Sequence, residues 1–61
     1  MLKFKKVKNL DMWTAENIVG DSFEIEKDTF DGMYVVYFNG DKCAVAGTLA
    51  TAKKYANEIN A

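Results

Sequence analysis

From Ser22 to Lys27 the chain alternates, with Phe23 and Ile25 set against Glu24 and Glu26. That period of two belongs to an antiparallel strand with one buried and one wet face. Met33 to Phe38, MYVVYF, is a run of apolar and aromatic residues whose branched and ring side chains suit a pleated strand. Asn39-Gly40 comes next, a pair that tolerates the positive φ of a tight hairpin turn, and Cys43 to Ala46 reads as the returning strand. Beyond Gly47 the period lengthens. Leu49, Ala52, Ala56 and Ile59 form one helical stripe with Tyr55 at its edge, while Lys53, Lys54, Asn57 and Glu58 lie on the other side. Thr48 is placed to cap this helix, and Ala52 and Ala56 leave room for it to lie across Tyr34, Tyr37 or Phe38.

The first third of the chain is less regular. In Leu2 to Leu10, Phe4, Val7 and Leu10 recur at spacing three, which fits a strand with an irregularity or a short helical turn; we take the strand, with Lys3, Lys5 and Val7 on one side and Phe4, Lys6 and Lys8 on the other. In Asp11 to Val19, Asp11 could cap a short helix over Met12 to Ile18, yet Trp13 and Ala15 also alternate with Thr14 and Glu16. Both periods fit, and we take the extended one. Gly20-Asp21 marks a turn before the alternating strand, and Thr29 to Gly32 a loop after it.

The expected fold is α+β: a three- to four-stranded, mainly antiparallel sheet with one C-terminal helix packed on one face. Residues 1–61 make a single small domain. Within the MYVVYF strand, Met33, Val35 and Tyr37 fall on one face and Tyr34, Val36 and Phe38 on the other. Both sets are apolar, and one helix cannot cover both. The second set therefore calls for a further cover, from the N-terminal segment with Trp13, a second copy, or a partner protein.

Charge adds asymmetry rather than a strong net sign. Eight lysines face nine acids, for a net charge of −1, with neither arginine, histidine nor proline. Lys3, Lys5, Lys6 and Lys8 crowd the N-terminus, and Asp21, Glu24, Glu26, Asp28 and Asp31 the middle. A chain this short buries only roughly 60% of its unfolded surface, so most large apolar side chains are needed for the core. One cysteine permits no internal disulfide, and no signal peptide or long apolar run is visible. A cytoplasmic protein without membrane contact is expected.

The same inventory argues against catalysis. Cys43 and Ser22 have no histidine to activate them, and no cofactor motif is present. Asp28 and Asp31 lack the spacing of a calcium loop, no zinc cluster exists, and Gly47-Thr48 is not a phosphate loop. We therefore expect no catalytic residues, metal or cofactor. The leading candidate is a protein-binding surface with Trp13, Tyr34 and Tyr37 as aromatic anchors and Glu24, Glu26 and Asp28 as a charged rim. The alternative is a nucleic-acid-binding surface built from Lys3, Lys5, Lys6, Lys8, Lys53 and Lys54, opposed by the acidic middle and the missing arginine. A structural homo-oligomer is the third reading.

The stretch FEIEKDTFDGMYVVYF, with Cys43, Gly47-Thr48-Leu49, Ala52 and Ala56, is similar to the strand-strand-strand-helix core of HicB-type antitoxins, which bind and block a ribonuclease. That family's Pro-Asp after the second strand and its acidic helix start are missing, so toxin neutralisation does not carry over. The segment AGTLATAKKYA resembles the end of a double-stranded-RNA-binding domain, but Leu49, Ala50 and Thr51 replace its lysine cluster. More broadly, the Phe-x-Ile strand, the Tyr-Val-Val strand and the Gly-x-Leu-x-x-Ala-Lys-x-x-Ala ending resemble small bacteriophage or prophage proteins. That resemblance implies a host protein as partner, bound and blocked in the host cytoplasm.

Overall fold

The computed structural model describes all 61 residues. Five strands, β1 (Lys5–Lys6), β2 (Met12–Glu16), β3 (Ser22–Lys27), β4 (Tyr34–Phe38) and β5 (Asp41–Ala46), precede one helix, α1 (Leu49–Asn60). The sheet is an antiparallel meander in which every strand pairs with its sequence neighbour. Five strands, rather than three or four, form because both irregular segments of the first third contribute one, β1 from Leu2 to Leu10 and β2 from Asp11 to Val19. The Val7–Leu10 turn parts them: the Leu10 N–H donates to the Val7 carbonyl at 3.2 Å, and Asn9 takes a positive φ of 67°. Asn is among the few side chains that accept that conformation readily.

The period of two wins in Met12 to Glu16, because pairing with β3 puts Trp13 and Ala15 beside Ile25 and Phe23. β1 holds only two residues, shorter than the Leu2 to Leu10 alternation implies. Before it, Leu2 is buried, and its N–H donates to Asn57 Oδ1 at 2.8 Å. This bond fastens the first residues along the helix.

The hairpin turn has the expected chemistry, with Asn39 at φ 50° and Gly40 at φ 88°. Two successive positive φ angles give the twist that joins neighbouring strands most directly. β5 starts at Asp41, ahead of the expected Cys43. Val36 pairs with Ala44 and Tyr37 with Lys42, so Cys43 is the extra residue of a β-bulge and is exposed.

Helix α1 is capped as its sequence suggests: Thr48 Oγ1 accepts from the Thr51 N–H at 3.2 Å. The helix lies on β3, β4 and β5. Its two buried residues are Ala52 and Ala56, which bring its backbone close to Phe23, Ile25 and Val36, the three large side chains that are fully buried. Phe23 and Phe38 meet with ring centroids 5.1 Å apart. Only eight residues are buried in all, so the core is one thin layer between helix and sheet. No helix is long and apolar enough to cross a membrane.

The face assignment corrects one expectation. The helix itself covers Tyr34, Val36 and Phe38, the set for which a further cover was sought. Trp13 does not fold over the sheet either; it sits within β2, packed against the same core. The uncovered face is the one that carries Met33, Val35 and Tyr37.

Candidate functional site: the open sheet face

Strand register determines what the open face displays. One row crosses all five strands: Lys5 opposite Thr14, Thr14 opposite Glu24, Glu24 opposite Tyr37, and Tyr37 opposite Lys42. A second row runs Met12, Glu26, Val35, Val45. The β4 and β5 half is therefore apolar and aromatic, β3 is acidic, and a lysine stands at each edge of the first row. Val35 and Tyr37 are half-buried by their neighbours, and Val45 is 41% exposed. An apolar strip beside a carboxylate row is suited to a partner that offers apolar contact and cations together.

The sheet edges are less suited to recognition. β1 is two lysines long, and β5 carries the bulge and Lys42 at its rim. Short, charged or bulged edges resist the addition of a further strand.

Of the six residues expected to form a protein-binding surface, the structure gathers Tyr37, Glu24 and Glu26 on the open face. Trp13 and Tyr34 lie on the helix side, their ring centroids 5.8 Å apart, with the Lys27 ammonium 5.9 Å from the centre of the Tyr34 ring. Both rings are half-buried against the core, so neither shares a surface with Tyr37. Asp28 lies in the loop after β3, where its Oδ1 accepts from the Phe30 N–H at 2.8 Å. Val35 and Val45 belong to the open face and were missed. Alternation puts Val35 on the same side of its strand as Tyr37, but the register with Glu26 and Val45 comes only from the folded sheet.

The lysines divide as well. Lys5 pairs with Thr14 on the open side and Lys6 with Trp13 on the helix side. Lys3 and Lys5 line a shallow groove of about 260 Å³ with Thr14, Ala15 and Glu16. Lys53 and Lys54 are on α1, whose Asn57 receives the Leu2 N–H. The first residues do run beside the helix, but Lys5 and Lys6 face opposite sides of the sheet edge.

Nothing gathers for nucleophilic chemistry. The Cys43 thiol lies 3.3 Å from the Asp41 carbonyl, and Ser22 Oγ lies 3.5 Å from Asn39 Oδ1. No group of three or more potential ligands comes together in a way that could hold a metal ion. The Asp21 carboxyl is held below its ordinary value first by the Asn17 side-chain amide and then by that of Asn39. This carboxylate ties the β2–β3 turn to the β4–β5 turn, at 3.1 Å on each side, a structural task.

No family model, curated protein or solved structure matches the chain.

Proposed function

We propose that this chain is a non-enzymatic protein-binding module that receives a partner on its open sheet face. The observation that carries the reading is the juxtaposition across β3, β4 and β5 of an acidic row, Glu24 and Glu26, with an uncovered strip, Val35, Tyr37 and Val45. Charge pattern favours a different protein over a second copy. β3 is the middle strand of five, so a centred two-fold pairing of these faces sets β3 on β3 and Glu24 and Glu26 against their own mates. Like charges opposed in a desolvated interface are costly, whereas lysines or arginines on another protein would complement them.

The resemblance to small phage proteins supports a host protein as that partner, in the host cytoplasm, with inhibition as the consequence of binding. A non-enzymatic role is supported by the want of any base beside Cys43 or Ser22 in a chain without histidine.

The test is capture by the tagged chain from nuclease-treated bacterial lysate. Three baits are compared: the parent, a Val35→Thr/Tyr37→Thr pair, and a variant with Lys3, Lys5, Lys6 and Lys8 changed to glutamine. A stoichiometric protein retained by the glutamine variant and lost with the open-face pair is the expected result. Nucleic acid recovered without nuclease, and lost with the lysines, would contradict it, as would a partner indifferent to the open-face changes.

A further inference from the structure

We propose that Asn39 is a modification site: it deamidates in the folded chain, and the acid formed there opposes Asp21 and loosens the end of the sheet where two turns meet. Of the chain's asparagines, only Asn39 is followed by glycine. Asn9, Asn17, Asn57 and Asn60 precede Leu10, Ile18, Glu58 and Ala61, whose side chains crowd the backbone nitrogen that would attack. Asn39 and Gly40 are both exposed, and no atom lies within 4 Å of where a side chain on Gly40 would begin.

The reaction uses only the chain and water. The Gly40 nitrogen gives its proton to hydroxide and bonds to Asn39 Cγ, whose bond to Nδ2 breaks; that nitrogen takes a proton from water and departs as ammonia. Water then opens the cyclic imide on either side, which leaves aspartate or, with the backbone rerouted through the side chain, isoaspartate. Asn39 Oδ1 accepts from the Ser22 N–H at 2.8 Å, so a donor already faces the oxygen that takes negative charge when Cγ becomes tetrahedral.

What this amide holds gives the modification its effect. Asn39 Nδ2 donates to Asp21 Oδ1 at 3.1 Å, and Asp21 Oδ2 accepts from the Asn17 amide at the same distance. The Asn39 backbone N–H donates to the Ser22 carbonyl at 2.8 Å, so side chain and main chain are fastened to the same corner. An ionised acid at position 39 has no hydrogen to offer Asp21, and one hydrogen bond becomes two facing carboxylates. The isoaspartate form also adds a backbone carbon to a tight turn whose length fixes the strand register. Both products weaken the joint between the β2–β3 and β4–β5 turns, so the fold loosens as the chain ages. This proposal does not rest on the open-face reading, since no partner enters it.

The experiment is peptide mass spectrometry of the full chain kept folded in mildly alkaline buffer, joined to urea denaturation of two variants. Amide should turn to acid at Asn39 ahead of the other asparagines, with isoaspartate among the products. Asn39→Asp, which makes the aspartate product directly, should lower the urea midpoint with the denaturant slope unchanged. Exchanging the pair, Asp21→Asn/Asn39→Asp, sets one carboxylate beside one amide again and should recover much of that loss. A folded chain that keeps its Asn39 amide while the urea-unfolded chain loses it would overturn the proposal. So would conversion that leads at another asparagine, a midpoint of Asn39→Asp equal to the parent's, or an exchanged pair no more stable than Asn39→Asp.

Discussion

Glu24 stands directly opposite Tyr37 in the β3–β4 register, on the sheet face that α1 leaves uncovered. Tyr34, three residues earlier, points to the other side and meets Trp13. Two tyrosines of one strand thus have different tasks. Tyr37→Thr, a β-branched replacement on an exposed face, should change stability by less than about 1 kcal/mol. It should cost about 2 kcal/mol or more of partner binding if Tyr37 is an anchor. A Trp13→Ala/Tyr34→Ala double-mutant cycle should instead return a folding coupling of about 0.5–1.5 kcal/mol. Urea denaturation measures the two folding quantities, and titration with the captured partner measures the binding loss.

The thin core makes single truncations severe. Phe23 is fully buried and in ring contact with Phe38, so Phe23→Ala should cost about 3–5 kcal/mol. A domain of this length has a total stability on the order of 3–9 kcal/mol. Urea denaturation followed by circular dichroism should show about a third or more of that stability lost.

Close approach of helix and sheet depends on Ala56, which is fully buried. Ala56→Leu should destabilise by about 1–3 kcal/mol, because the added side chain has to force α1 off the sheet. Gly40→Ala, at a φ of 88°, should cost about 1–2 kcal/mol through backbone strain at the hairpin turn. Thermal melting would report each loss.

Acid should loosen the end of the sheet where two turns meet. Asp21 accepts from the Asn17 and Asn39 amides, which hold its carboxyl below the ordinary 3.8. A carboxylate depressed by folding contributes stability that is full above the unfolded-state value and is lost as pH falls through the lower folded one. The stability gap between the parent and Asp21→Asn should therefore shrink in denaturation curves as pH falls from about 5 through the lowered carboxyl value. A gap that widens in acid would contradict this.

Much of the fold is legible in the sequence because its local and tertiary demands agree. Phe23 and Ile25 alternate with acids and are fully buried, Asn39-Gly40 makes the turn, and Thr48 caps the helix. The first third is harder to read because its two strands are short. Leu2 to Leu10 carries a turn at Asn9 that leaves only Lys5 and Lys6 paired, and that break has no glycine or proline to announce it. The candidate site is legible only in part. Alternation separates Tyr34 from Tyr37, but both faces of that strand are equally apolar, so which one the helix takes follows from the whole sheet. Phe30 lies in a loop where periodicity says nothing, and only its position in space marks it as exposed.

The central claim, that the open sheet face receives a protein, is tested most directly by hydroxyl-radical footprinting of the chain alone and bound to the protein it captures. Tyr37 lies on the open face, while Tyr55, on α1, serves as an internal reference at 36% exposure. Binding at the open face should slow oxidation of Tyr37 several-fold, with Tyr55 unchanged. Protection of Tyr55 with Tyr37 still reactive would place the partner on the helix side and contradict the claim.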